Sequence, residues 1–519
     1  MVNGRYDFVI TTDRTMMSNH HGKEFIGFLA TGPAYFFPEN VWLRLCCPKP
    51  KVDEEGKPIE ASYGLRKIEA ALIDAGYRAA IIDPDHLEKH LKHAKAVLVG
   101  HHDFFAYGPP SSEWWLITGK EPINRISLIR FMRWLGERKR RYGFKIIVGG
   151  PAAWQWLWEP EFWHAVGVDT VVDGEAEIVI KKLAEKVLNG EPLPKYVYVG
   201  ASDVPSIDEI PVIKGASVNG LVEVMRGCPR GCKFCSVTLR PLRFIPYEKI
   251  EAELKVNRNS GIMDAIIHSE DVLLYRAKGV IPQEEPLIKL HKLFAKYTRS
   301  IGWAHASLAA IVTAQRNGKL ITKLTELIYS ENEQDYLGVE VGIETGSVRL
   351  VKLYMTGKAA PYPPEKYPEI VEEAFAIMHE HRIIPAATFI LNLPGERPED
   401  VMATVELLER LRPYRSLIVP MFFVPMGSLK GDKRIIARVK VTPEHLEAFK
   451  VAVEHSSYWA KDIMAKFYLK GPKHALTRLL LNRFVNLVES KAMKVLASLK
   501  HFEGKELTIE RKDLSTAPS

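Results

Sequence analysis

The chain is short of cysteine, of long apolar runs and of repetition. Five cysteines in 519 residues cannot staple a fold of this length, which excludes a disulfide-framed secreted scaffold. No apolar run reaches the roughly 18–20 residues a membrane-spanning helix needs. The opening MVNGRYDFVITTDR lacks the charged and apolar regions of a signal peptide, so a cytoplasmic setting is expected. No repeat of roughly 20–50 residues recurs and no low-complexity segment interrupts the chain. What is present is ordinary globular composition, 46% hydrophobic and 26% charged, in a length that implies roughly two to four domains. The net charge of +8 is gathered toward the end, where Gly431 onward carries 17 Lys and Arg against 10 Asp and Glu. Such a tail reads as a solvated face or as a surface for an anionic partner.

Short apolar runs alternate with amphipathic stretches over residues 1–195. YDFVIT, RAAIIDPD, KAVLVGHHD, KIIVGGP and DTVVDGEAE read as strands, and YGLRKIEAALIDAG, HLEKHLKHA, LIRFMRWLGERKRRYG, AAWQWLWEPEFWHAVG and IVIKKLAEKVLNG as helices. Five alternations predict a doubly wound, flavodoxin-like parallel sheet, with ligands at the strand ends GHHD, VGGP and VDGEAE. Residues 196–217, in a Pro-, Gly- and Ser-rich stretch, read as a linker. Over 218–430 strands are expected at Leu221–Met225, Ala265–His268, Ile301–Ala306, Gly338–Ile343, Pro385–Leu391 and Leu417–Val424. Six βα units of this kind predict a partial α/β barrel with its chemistry at the strand C-termini. Residues 431–519 read as mostly helical.

Three of the five cysteines lie within eight positions: Cys228, Cys232 and Cys235, spaced C-x3-C-x2-C after the first barrel strand. Structural zinc wants four closed ligands, so a histidine would have to complete a zinc site. Buried thiols without metal are a second reading. A [4Fe–4S] cluster on three thiolates is the third, and it leaves one iron open for a substrate or cosubstrate.

That motif in that place resembles the radical S-adenosylmethionine (SAM) superfamily. The resemblance covers roughly Gly220–Leu429 and implies a [4Fe–4S] cluster on the three cysteines. It further implies SAM bound at the open iron and cleaved to a 5′-deoxyadenosyl radical. It places Phe234 beside the adenine, Glu270 (or its neighbour Asp271) in HSED at the SAM amino group, Ser307 at the ribose and Glu344 in GVEVGIETGS at the SAM site. FILNLPGERPEDV resembles the fifth-strand segment, with Asn392 where a glycine is usual, and FFVPMGSL the sixth-strand ending.

An α/β domain ahead of such a barrel resembles the cobalamin-binding radical SAM class. This likeness makes Gly149, Gly150, Gly174 and Glu175 candidate cobalamin contacts, GEAE the start of an anion-favouring helix, and His20 and His21 candidates to reach cofactor or substrate. His101, His102 and Asp103 stand at the same edge. The Asp-x-His-x-x-Gly pattern that supplies a lower axial histidine is absent. Adjacent Cys46 and Cys47 read as packing residues. The implied reaction is methyl transfer to an unactivated carbon, with radical C–C bond formation or ring closure on a lipid-like or other apolar substrate as the alternative. A non-enzymatic iron–sulfur sensor is a further reading. Methylthiolation of nucleic acid is disfavoured, since that family carries additional front-domain cluster cysteines. Expected partners are a small-molecule or lipid substrate and an electron donor such as ferredoxin or flavodoxin. No nucleic acid is expected, and the basic C-terminal region is a candidate for peripheral membrane contact.

Overall fold

A computed structural model describes residues 5–22, 24–34, 38–426, 438–499 and 506–508. They form two compact units. The first runs up to Val222 and takes in Glu248–Ile262, and the second comprises Glu223–Tyr247 and Met263–Thr508.

The first unit is a six-stranded parallel sheet of β1 (Phe8–Thr11), β2 (Ala79–Ile81), β3 (Ala96–Gly100), β4 (Lys145–Gly149), β5 (Thr170–Asp173) and β6 (Tyr196–Tyr198) in the order β2-β1-β3-β4-β5-β6. The order reverses at β1, so β1 and β3 flank the switch point at which doubly wound sheets take ligands. Every strand from β1 to β5 is an almost unbroken buried apolar run, as a sheet covered on both faces requires. Helices α1 (Tyr63–Asp74), α2 (Ile123–Tyr142) and α3 (Val179–Asn189) flank it. Phe8, Ile10, Leu65, Leu72, Ile81 and Leu98 share a core with Ile180 and Leu183 of α3. α2 and α3 both stop at a glycine in the left-handed region, Gly143 (φ 80°) and Gly190 (φ 70°).

Several expectations change here. The stretch expected as a linker holds β6 and a two-residue strand, Ala216–Ser217, paired with Glu60–Ala61. HLEKHLKHA forms only the single turn Glu88–Leu91. GEAE does not begin a helix: α3 starts at Val179 and Gly174–Glu177 bends ahead of it. The bend arises at Gly174, whose φ of +128° and approach to Val199 (a Cβ would lie 2.7 Å from it) admit only glycine. The helix α4 (Tyr247–Asn259), next in sequence to the cysteine loop, packs in the first unit from Glu248 onward. Its buried Glu253 explains why, since it accepts from Lys67 Nζ (2.6 Å), Tyr63 (2.7 Å) and the Ile213 amide (3.2 Å).

β7 (Val222–Glu223) enters the second unit at Glu223, and that unit carries β8 (Asp264–His268), β9 (Ser300–Trp303), β10 (Leu337–Glu344), β11 (Ile383–Leu391) and β12 (Leu417–Phe422). They form sheets β9-β8-β7 and β10-β11-β12, joined by a parallel bridge between His305 and Glu340. Neighbours in space are therefore neighbours in sequence, with helices between them, as in a partial (β/α)6 barrel. The first expected barrel strand is split in two at Val224. Beyond β12 the chain forms α11 (Pro443–Ile463) and α12 (Ala475–Leu499). The helices preceding them are α5 (Glu284–Ala295), α6 (Leu308–Arg316), α7 (Leu320–Glu331), α8 (Val348–Tyr354), α9 (Tyr367–Glu380) and α10 (Pro398–Arg410). Gly427–Leu429 of FFVPMGSL and part of the basic tail lie outside the described residues. Among the described residues no helix is long and apolar enough to cross a membrane.

Candidate active site

The cysteine loop leaves the short strand Met225–Arg226 and returns through Arg243–Phe244, which pairs with it antiparallel. Gly227 (φ 83°) turns the chain against the Arg240 and Pro241 carbonyls, where a Cβ would fall 2.8 and 2.7 Å away. Cys232 and Cys235 close a turn on each other, with the Cys235 amide donating to the Cys232 carbonyl (3.1 Å), and Thr238 Oγ1 donates to the Cys235 carbonyl (2.9 Å).

Arg230, inside the motif, clamps the loop from behind. Its Nη1 donates to the carbonyls of Gly357 (3.1 Å), Lys358 (3.3 Å) and Ala360 (3.0 Å), and its Nε to Asp271 Oδ2 (3.4 Å). A Cβ on Gly357 would lie 2.0 Å from the Arg230 carbonyl. Asp271 is fully buried, and its Oδ2 also accepts from Ser307 Oγ. Burial raises the Asp271 carboxyl above its ordinary range.

On β10 a register shift at Gly342 ends in Glu344, which holds φ at +62°. A non-glycine residue there is strained, as functional positions often are. The buried Glu344 accepts from Lys358 Nζ through Oε1, and Gly342 leaves the room for this pair. Burial lowers the Lys358 ammonium, but the facing Glu344 carboxylate more than reverses that and holds it above the usual lysine range. Asn392, where the resemblance expects glycine, has φ +64°. Asparagine tolerates this conformation better than most residues, so the turn survives the replacement. Its amide donates to Glu396 Oε1 (2.7 Å), which is also 2.8 Å from His445 Nε2 of α11.

The structure brings these groups to one place. The Cys228 thiol is electrostatically coupled to Asp271 and Arg230, Cys232 to Lys358 and Glu344, and Cys235 to Glu270 and Lys358. Burial pushes Cys228 up to about 12 and Cys232 up to about 11, and raises Cys235. Such thiols become thiolates only when a metal replaces the proton, and the donor set of three soft sulfurs suits an iron–sulfur cluster. Among the described residues no three His, Cys, Asp or Glu side chains converge on a single ion. Ser307 is held by Asp271, Phe234 is half-buried in the loop, and Glu270 is half-buried beside Cys235. Lys358 and Arg230 were missed by sequence reasoning. Lys358 lies in the short helix Thr356–Ala359, which carries no motif, and Arg230 fills a spacer position, so only their burial against the site marks them.

The ligand edge of the first unit is a separate polar cluster. Asp13, at the end of β1, caps Arg14–Met17 and lies 3.1 Å from His101 Nε2, at the end of β3. His101 Nδ1 accepts from the Asp103 amide (2.9 Å), and Asp103 Oδ1 accepts from Gln155 (2.7 Å) and the Gly108 amide (3.0 Å). His102 stacks on His101. Thr12 Oγ1 and Asp103 Oδ2 are buried without a protein partner, so this edge has polar capacity for a bound group. Gly149 continues β4, and a Cβ on Gly150 (φ 114°) would lie 2.6 Å from the His101 carbonyl. Glu175 is buried in the bend after β5. His20 and His21 face the end of the helix Glu39–Cys46, their ring nitrogens 2.7 Å from the Cys46 and 3.0 Å from the Leu45 carbonyl. Cys46 and Cys47 pack with Trp42, Ala30 and Ile123, as expected.

The pair Asp13–His101 has a measurable consequence. Burial alone would raise the Asp13 carboxyl, but hydrogen bonding to His101 and its charge, with Ser127 and Thr15, bring it down to about 2. A depressed carboxylate stabilises the fold above its unfolded pKa of about 4, by about 2–3 kcal/mol. That stability is lost as pH falls through about 2. Denaturant unfolding followed from pH 5 to pH 2 should show a steeper decline in the parent than in Asp13→Asn.

A loop of three cysteines at the head of a partial α/β barrel, with strand-end carboxylates near it, has the donor chemistry of an iron–sulfur site. Residues 222–408 match the family described as the radical SAM superfamily, and this part of the chain is a radical SAM domain, which implies a [4Fe–4S] cluster and SAM. Curated relatives include the tRNA-2-methylthio-N(6)-dimethylallyladenosine synthase of Magnetococcus marinus, 24% identical over 45% of this chain and 50% of that protein. The synthase of the same name from Orientia tsutsugamushi (strain Ikeda) is 25% identical over 52% of this chain and 57% of its own. An uncharacterized methyltransferase of Pyrococcus horikoshii is 24% identical over 51% and 58%. The chain spans about half the length of the curated relatives it matches. Among solved structures, the radical SAM methyltransferase TsrM of Kitasatospora setae, with cobalamin and a [4Fe–4S] cluster bound, shares the fold. Its TM-score is 0.53 at 14% identity, over 82% of this chain and 77% of that one.

Proposed function

We propose that this radical SAM enzyme also carries a cobalamin on its first unit and uses it to transfer a methyl group to an unactivated carbon. The observation that carries the reading is the presence, in one chain, of a doubly wound sheet with a polar switch-point edge and a radical SAM domain. A fold likeness to a cobalamin-bearing methyltransferase over 82% of the chain supports it. The cluster supplies the electron that cleaves SAM, and cobalamin supplies a methyl carrier. The chain's own residues orient and shield. Arg230, Asp271 and Ser307 fix the cysteine loop, and Glu344, held by Lys358, would accept hydrogen bonds from the SAM ribose or ammonium. On the first unit Gly149, Gly150, Gly174 and Glu175 are the residues that would meet the corrin. Methylthiolation, the activity in the names of several sequence relatives, is disfavoured because that family usually carries further cluster cysteines in its front domain. Only Cys46 and Cys47 remain, and both are packed in the core of the first unit.

Glu344→Gln should keep its iron but bind SAM about ten- to a hundredfold more weakly, the cost of one charge-assisted hydrogen bond. Equilibrium binding to the iron-loaded protein checks this, and unchanged affinity would make Glu344 a structural residue. The function itself is tested by anaerobic reconstitution with iron, sulfide and hydroxocobalamin, then incubation with reductant and SAM. One cobalt per chain, 5′-deoxyadenosine and S-adenosylhomocysteine are expected. Deoxyadenosine with neither cobalt nor S-adenosylhomocysteine would reject methyl transfer and favour radical C–C bond formation.

A further inference from the structure

We propose that the exposed face of α12 docks the protein on the surface of an anionic lipid bilayer. Large exposed apolar side chains are scattered over most of the described chain, but four fall in twelve residues here. Leu476, Leu479, Leu480 and Leu487 are 69, 50, 56 and 46% exposed. Their spacing of three, four and seven puts them on one helix face. Arg483 and Lys494 are exposed on the same stripe. α12 packs along α11, with Leu496 buried, and its one carboxylate, Glu489, pairs with Lys461 of α11.

Charge decides among the occupants of such a face. From Met464 to Leu499 there are seven Lys and Arg and one Glu. A second copy of the helix would set Arg483 and Lys494 near their own counterparts, so leucine pairing between copies meets like-charge repulsion. An anionic lipid surface offers both terms at once: acyl chains at the level of the leucines, and headgroup charge for basic side chains that extend their stems along the interface. The helix is not apolar enough to span a bilayer, which fits a segment lying in the interface plane.

The test is flotation of the iron-loaded full chain with equimolar phosphatidylcholine–phosphatidylglycerol vesicles and with phosphatidylcholine alone. Binding is expected to the anionic vesicles only, and to weaken as salt is raised. Each basic charge near such a surface is worth about fivefold in affinity, so Arg483→Glu with Lys494→Glu should lower binding by about twenty-five-fold or more. Leu476→Ser, Leu480→Ser and Leu487→Ser together should lower it at least as far. Both variants should keep the parent's melting temperature, since all five side chains are exposed. Failure of the parent to float with anionic vesicles would overturn the proposal, as would parent-like binding by either variant. A dimer dispersed by the serine substitutions, or binding to an acidic polypeptide, in the absence of vesicle binding would overturn it too.

Discussion

Replacing Cys228, Cys232 and Cys235 together with alanine is expected to give a folded protein that holds no iron and forms no 5′-deoxyadenosine. The three thiols share one loop, and burial holds each in its protonated form until a metal takes the proton's place. The loop's geometry does not depend on sulfur. It is set by Gly227, by Thr238 on the Cys232–Cys235 turn and by the Arg230 clamp. Loss of the cluster should therefore leave far-ultraviolet circular dichroism close to that of the parent without iron. Iron assay, the optical spectrum and product analysis read the outcome together. A triple variant that retained about four irons per chain and still cleaved SAM would place the cluster elsewhere.

Asp271→Ala is expected to destabilise the second unit by about 3–5 kcal/mol, the usual cost of removing one partner of a buried ion pair. Arg230 would then keep its three carbonyl acceptors and lose the one carboxylate it meets among the described residues, and Ser307 would lose its acceptor. Asp271→Asn, which can still accept from both, should cost markedly less. The same order should appear in iron retention, because Arg230 stands between Cys228 and Cys232. Denaturant unfolding and iron content of parent, Asn and Ala variants check this. Equal stability of Ala and parent would mean that the clamp rests on the Gly357–Ala360 carbonyls alone.

Much of this site was legible in the chain because it is local. C-x3-C-x2-C, the carboxylates of HSED and GVEVGIETGS, and the strand–turn–helix rhythm all lie within short windows where period and spacing can be read. What could not be read depends on contacts between distant segments. β6 hides in a Pro- and Gly-rich stretch because an edge strand of three residues needs only a neighbour, here β5. α4 follows the cysteine loop in sequence yet packs elsewhere, for Glu253 finds Lys67 some 186 residues away. Lys358 carries no motif, and its place opposite Glu344 exists only after folding. The clamp through Asp271 could not be read from sequence either, since the adjacent Glu270 and Asp271 are set apart only by burial. The bend at Gly174 was read as a helix start because its φ of +128° leaves no trace in periodicity.

The most direct measurement is electron paramagnetic resonance of the reduced, iron-loaded chain before and after SAM is added. A cluster held by three cysteine ligands would leave one iron open to SAM. SAM should therefore shift the signal of the reduced [4Fe–4S] cluster and then be cleaved to 5′-deoxyadenosine. A cluster whose spectrum is indifferent to SAM, in a chain that forms no deoxyadenosine, would contradict the radical SAM assignment.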